Sequence, residues 1–304
     1  MKLDYFIMDV FTTTALAGNP LAVVMNTVGL STERMQAIAR EFNLSETTFV
    51  ERRPSAVEQE EGVRVRIFTT QEELPFAGHP TLGTASVLKL SAPETLRGDT
   101  VTLALNVGLV PVRFSSASLF GEMTQRDPEF GAELDPREVA RLTGLALEDL
   151  DPGLPPQVVS TGTAFAIVAL VREDSLARLK VSQQEATDWL RAHGARWFYV
   201  LAPAARVSGA APLWRARMQF NGGEDPATGS AAGCAISHLV MRGAVAPGER
   251  ITLHQGIEMG RPSEIFLSAV RRNEHRETKS SAGVTDVHVA GSTVLVAQGQ
   301  LFLP

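Results

Sequence analysis

One cysteine, Cys234, is the entire thiol content of this 304-residue chain. A lone thiol closes no internal disulfide and builds no thiolate metal site, which removes disulfide frameworks, dithiol redox chemistry and zinc fingers from consideration. Cys234 lies in the run SAAGCAISHL and reads as a small buried helical residue, not as a nucleophile. Basic runs are absent as well. The formal charge is −6 with the two signs interspersed, and no Lys/Arg stretch would neutralise successive phosphates, so no nucleic acid partner is expected. No window reaches the roughly 18 consecutive apolar residues that span a bilayer, so no membrane partner is expected either. The opening MKLDYFIMDVF places Asp4 and Asp9 inside its apolar run, offers no small-residue cleavage site and reads as a strand. The expected location is cytoplasmic. Neither a GK[ST] phosphate loop nor a strand followed by GxGxxG occurs, and His193, His238, His254, His275 and His288 show no ligand spacing with carboxylates. The expectation is no metal and no cofactor.

What is present is an ordinary globular composition, 44% hydrophobic and 20% charged, long enough for one large domain or two lobes. Residues 3–11 and 21–25 read as strands joined by a turn holding Gly18, Asn19 and Pro20. Ser31 or Thr32 caps a helix carrying Met35, Ile38, Ala39 and Phe42 on one face. The β-branched stretch SETTFVE follows, putting Glu46 where a loop enters a strand. Residues 63–68 alternate as a further strand, and 99–114 and 156–171 supply more. Helices are expected after Asp135-Pro136 and from Ser182, whose Glu185 completes a capping box, to Gly194. The polar stretch 271–282 reads as a loop, and TVLVAQGQLFLP as a terminal hairpin. Strands dominate, and the helices are not spaced as strand-helix-strand crossovers, which predicts an α+β chain with antiparallel sheets.

Two segments stand apart: PFAGHPTLGTASVLKL (75–90) and DPATGSAAGCAISHLVMRG (225–243). Helices lined by Ala, Gly and Ser suit enclosure by a curved sheet. Each follows a similar strand, and the offsets from Arg66 to Gly83 and from Arg217 to Gly233 nearly agree, which suggests an internal repeat of two lobes. The openings of these helices also bear on chemistry. Backbone N–H groups at a helix N-terminus attract an anionic group, and Gly78 and Gly229 permit close approach. Glu46, His79 and Asp225 are candidates for proton transfer, Glu46 because enclosure raises a carboxyl pKa toward neutrality and His79 because imidazole titrates there. Each also fits a structural role: Glu46 as a strand-end carboxylate, Asp225 before Pro226 as a helix N-cap, and His79 as a partner for a backbone carbonyl.

DVFTTTALAGNPLAVV (9–24), LSETTFV (44–50), ELPFAGHPTLGTA (73–85), EDPATGSA (224–231) and QGIEMGRPSEI (255–265), in that order, resemble the PhzF (phenazine biosynthesis) family over almost the whole chain. The resemblance implies a diaminopimelate-epimerase-like fold of two similar lobes, each a curved antiparallel sheet around a central helix. It implies an N-terminal lobe over 1–117, completed by about 293–304, and a C-terminal lobe over 118–292, with the active site in the cleft between them. It further implies a cofactor-independent isomerase of a small carboxylate substrate, of the kind that converts dihydro-hydroxyanthranilate, and a homodimer. In that resemblance Glu46 matches the proton-shuttling glutamate and Ser45 its neighbour, His79 and Asp225 the assisting polar residues, and Gly78, Gly229 and Ser230 the positions holding the substrate carboxylate. Related diaminopimelate epimerases use two cysteines, which these helix openings lack. The chain departs from the pattern at Thr70, where the family usually has proline, and in a shorter segment before Asp225. An amino-acid epimerase or racemase, and a non-catalytic binding protein that keeps the fold, are the alternatives.

Overall fold

The computed structural model describes residues 1–115, 118–205, 210–220, 222–272 and 283–303. The expected loop at 271–282 lies outside them except for Arg271 and Arg272, which instead end the strand Ser263–Arg272. The chain forms two compact units, Met1–Thr124 with Ala290–Pro304, and Gln125–Val289.

In the first unit, Lys2–Val10 pairs antiparallel with Asn19–Val24 on one side and with Thr293–Phe302 on the other. That last strand runs unbroken, which corrects the expected terminal hairpin. Its Gly299 is no turn residue but sits opposite Tyr5, where a Cβ would lie 2.8 Å from the tyrosine hydroxyl. Asn19–Val24 leads through the helix Thr32–Phe42 to Glu46–Glu51, which lies parallel to it. Ser31 caps that helix, accepting from the Arg34 N–H, and its apolar face sets Met35 and Ile38 in one cluster with Phe49 and Phe68. Glu46–Glu51 then pairs antiparallel with Val63–Phe68. The small-residue helix Gly78–Ser91 carries the chain over to Thr100–Leu105, parallel to Val63–Phe68, and the hairpin to Gly108–Phe114 follows.

The second unit repeats this path. Gln157–Ser160 pairs antiparallel with Ala164–Ala169, and the helix Gln183–Ala192 crosses to the parallel strand Trp197–Pro203. Leu213–Arg217 pairs antiparallel with that strand; the small-residue helix Gly229–Met241 crosses to the parallel Ile251–Gln255, and Ser263–Arg272 completes a hairpin. The expectation that the helices form no strand-helix-strand units is therefore corrected: each unit holds two helical crossovers, each joining a parallel pair in an otherwise antiparallel path. A parallel neighbour cannot be reached by a tight turn, so each needs a connection long enough to return along the sheet. Ser182 makes no side-chain cap, contrary to the expected capping box, and the Glu185 carboxylate accepts from Arg141 at 2.5 Å. Asp135 caps its helix as expected, accepting from the Arg137 N–H.

Every residue from Gly78 to Leu88, and from Gly229 to Val240, is buried. Such helices have no polar face, and small residues let the sheet close round them. Gly83 shows the need: a Cβ there would come within 2.6 Å of Leu21 and 2.9 Å of Val10. At Gly233, the matching position of the repeat, a Cβ would overlap the Gln125 side chain. A second matched feature braces the strand before each helix. Arg66 donates through two nitrogens to Glu73 at 2.9 and 2.6 Å, and Arg217 to Glu224 at 2.8 and 2.6 Å. Among the described residues no helix is long and apolar enough to cross a membrane.

Candidate active site

In the first unit, Glu46 is the first residue of its strand, in parallel register with Leu21, and its side chain is 16% exposed. His79, the second residue of the central helix, is 3% exposed. Its Nε2 lies 3.4 Å from Oε2 of Glu46, and its Nδ1 lies 3.1 Å from Nδ2 of the fully buried Asn19. Burial pushes the His79 pKa down to about 3, so the ring is neutral at physiological pH. Ser45 precedes Glu46 and is half-buried, while Gly78 opens the helix. Ala77, at the N-cap, has no polar side chain to cap the first turn, which leaves a positive helix end beside His79.

Asn19 is held rigidly. Gly18 before it has φ +66, and a Cβ there would lie 2.4 Å from the Val10 carbonyl oxygen. The loop ahead of it holds Phe11 and Leu16 in the left-handed region, with Asp9 accepting from the Leu16 N–H at 2.6 Å. Backbone held there in non-glycine residues is costly and persists only where its surroundings impose it.

In the second unit, the helix begins at Gly229 with Thr228 at the N-cap, so Asp225 is not the cap that its place before Pro226 suggests. Thr228 instead turns its hydroxyl away from the helix and donates to Oδ2 of Asp225 at 2.6 Å. Gln255 secures the pair with every hydrogen-bonding group of its amide. Its Oε1 accepts from the Tyr199 hydroxyl at 2.9 Å and the Thr228 N–H at 3.1 Å; its Nε2 donates to the Asp225 carbonyl at 2.7 Å and to Thr228 Oγ1 at 2.9 Å. Burial, reinforced by the Asp225 charge, raises the Tyr199 pKa well above its usual value and keeps it a neutral donor. Ser263 donates to the Pro226 carbonyl at 2.8 Å, and Gly256, at φ +76, lets the chain pass where a Cβ would lie 2.6 Å from that same oxygen. The buried Gly229 and Ser230 follow at the helix opening, where the Gly229 carbonyl accepts from Gln125 at 2.9 Å.

The first unit thus brings Glu46 and His79 together, and the second surrounds Asp225 with hydroxyl and amide partners. Sequence reasoning missed Asn19, Tyr199, Gln255 and Ser263. Two of these, Gln255 and Ser263, stand inside QGIEMGRPSEI, one of the segments that carried the family resemblance. Cys234 is buried and its thiol is pushed up to about 12 by burial, which leaves it protonated and inert. No group of three His, Cys, Asp or Glu that could hold a metal ion occurs among the described residues.

A family model described as phenazine biosynthesis-like protein, PhzC-PhzF, matches residues 8–299. The chain belongs to the PhzC-PhzF family. It is 34% identical over 305 residues to a trans-2,3-dihydro-3-hydroxyanthranilate isomerase of Pseudomonas aeruginosa, covering 98% of this chain and 99% of that relative. Among solved structures, a predicted epimerase from Pseudomonas aeruginosa matches with a TM-score of 0.80 and 33% identity, covering 99% of this chain and 100% of that one. A hydroxyproline epimerase from Agrobacterium vitis matches with a TM-score of 0.61 and 12% identity, over 99% and 92% of the two chains, a likeness of fold alone. This PhzF-family protein is an isomerase with the α+β, diaminopimelate-epimerase-like fold.

Proposed function

We propose that this isomerase moves a proton between carbons of a small cyclic or unsaturated carboxylate, with Glu46 as the proton shuttle and without coenzyme or metal. One observation supports this above the others: a largely buried carboxylate lies 3.4 Å from an imidazole that burial keeps neutral. A neutral imidazole beside the carboxylate does not cancel its charge, so Glu46 stays able to take a proton from carbon. The C–H electron pair then shifts a double bond along the substrate, and Glu46 returns the proton at another carbon. Atoms and electrons balance with no redox partner. In the first unit Ser45 and the helix opening at Gly78, and in the second unit Ser230 and the helix opening at Gly229, are the candidate groups for binding a substrate carboxylate, and Asp225 is a candidate assisting group. The identity to the Pseudomonas aeruginosa relative makes compounds of the trans-2,3-dihydro-3-hydroxyanthranilate type the first substrates to test.

The likeness to a predicted epimerase favours a second reading, inversion at the α-carbon of an amino acid by the same carboxylate. Both are tested by incubating the protein in D2O with that compound, diaminopimelate, hydroxyproline and common amino acids, following deuterium by NMR with Glu46→Gln in parallel. Incorporation that vanishes in the variant is expected, and the labelled carbon separates double-bond isomerisation from epimerisation. Incorporation that persists in Glu46→Gln would remove Glu46 from the chemistry.

A further inference from the structure

We propose that Asn19 is a positioning residue that sets the tautomer of His79, its amide NH2 donating to Nδ1 so that the ring proton sits on Nε2 and faces Glu46. The inference deepens the reading of Glu46 as a proton shuttle and rests on it for its catalytic meaning, but its structural content stands independently.

Three side chains from separate elements lie in sequence: the Asn19 amide 3.1 Å from Nδ1 of His79, and Nε2 of the same ring 3.4 Å from the Glu46 carboxylate. A neutral imidazole has one donor nitrogen and one acceptor nitrogen, and its neighbours choose between them. Facing a carboxylate, a bare Nε2 would set lone pair against lone pair. An N–H at Nε2 turns that approach into attraction, and Nδ1 must then accept. Asn19 supplies a donor at that nitrogen, so the contacts on both sides of the ring select one tautomer. Burial reinforces the selection, because no solvent reaches the 3% exposed ring in quantity to substitute for either contact.

The positions of these groups are built into the backbone. Asn19 is paired with Val10 in the sheet and follows a left-handed Gly18 that no larger residue could replace without meeting the Val10 carbonyl and Thr12. His79 is fixed by the first turn of the central helix, with Pro80 next to it. The segment AGNP thus has a role that turn formation alone does not explain: it carries the group that orients an imidazole 60 residues away. The arrangement delivers a proton donor to the Glu46 carboxylate at no net charge, stabilising the ionised form that accepts a proton and releasing it when Glu46 is protonated.

The test is 15N NMR of uniformly labelled protein without substrate, with the His79 ring signals identified by their loss in His79→Gln. At neutral pH the wild-type protein should show Nε2 protonated, Nδ1 unprotonated, and a nitrogen–nitrogen coupling across the hydrogen bond from the Asn19 amide to Nδ1. Asn19→Asp, which places an acceptor where the donor stood, should put a proton on Nδ1 and lower kcat by about 10- to 100-fold with KM changed far less. A protonated Nδ1 in the wild-type protein overturns the proposal, as does an unprotonated Nδ1 in folded Asn19→Asp. If that variant does not fold, the wild-type tautomer and coupling decide alone. Because the spectra need no turnover, a protein that isomerises none of the tested carboxylates still tests the role of Asn19, and failure of the Glu46 reading is seen separately in the deuterium experiment.

Discussion

The two units solve the same architectural problem and diverge at the opening of the central helix. Both use a helix of small residues as the second crossover, both brace the preceding strand with a two-nitrogen Arg–Glu pair, and both leave the N-cap without a side-chain cap to its own helix. At the first helix the carboxylate comes from a strand end, Glu46, and lies 3.4 Å from an imidazole held neutral by burial. At the second the carboxylate, Asp225, belongs to the turn leading into the helix, and it accepts a hydroxyl from Thr228 while Gln255 clamps the turn from behind. A repeated scaffold therefore carries two different electrostatic designs. One sets a carboxylate beside a neutral imidazole, and the other fixes a carboxylate through neutral donors.

The largest contrast should appear in activity. Glu46→Gln is expected to lower turnover by at least about 10³-fold, and Asp225→Asn by about 10- to 100-fold, measured on whichever carboxylate supports deuterium exchange. Equal losses would erase the distinction between a shuttle and an assistant. Stability should separate the matched ion pairs next. Arg217 is 10% exposed and also donates to the Leu176 carbonyl, whereas Arg66 is 16% exposed and, besides Glu73, donates to the Thr32 hydroxyl and lies over the Phe68 ring. Arg217→Met should cost about 3 kcal/mol in urea unfolding and Arg66→Met nearer 1–2, since stranding a buried partner charge is the dominant loss. Gln255→Leu should cost about 2–3 kcal/mol, because it orphans the Thr228 N–H, the Asp225 carbonyl and the Tyr199 hydroxyl together, and it should reduce activity to the level of Asp225→Asn.

The smallest effect concerns pH. His238, inside the second central helix, has both ring nitrogens without a hydrogen-bond partner, and burial, aided by Arg242 and opposed by Glu133, lowers its pKa to about 4. The unfolded chain takes up that proton near pH 6.5 while the folded one does not, so stability present above about pH 6.5 is lost as the pH falls toward 4. Near pH 5 this amounts to about 1–2 kcal/mol, and His238→Leu should flatten that part of the acid limb in denaturant titrations. His79 contributes in the same direction over a window extending to about pH 3. A wild-type acid limb already flat over this range would show that neither histidine is held neutral by burial.

Much of the local structure was legible from residue order. Ser31 and Asp135 cap where their positions before apolar periodicity say they should, and Glu46 begins a strand as SETTFVE implies. The near-equal offsets to Gly83 and Gly233 marked a real repeat, because at both positions the packed neighbour fills the space of a Cβ. Other features misled because the deciding contact lay far along the chain. Asp225 before Pro226 has the form of a cap, yet the helix starts three residues beyond Pro226 and the aspartate is claimed by Thr228 and the Gln255 clamp. Gly299 has the look of a turn residue, yet its need for a missing side chain comes from Tyr5 across the ladder.

What the sequence determined by itself follows from short-range physics: helix ends set by side chains three residues away, strands set by alternation, and two helices whose small residues could only belong inside. The tertiary structure alone decided which strands lie parallel and which polar groups meet. Asn19, Glu46 and His79 stand in three motifs, each of which satisfies its own local geometry without the others. Only when the strands pair and the central helix is enclosed do the Asn19 amide and the Glu46 carboxylate come to the two nitrogens of the His79 ring, whose pKa the same burial lowers.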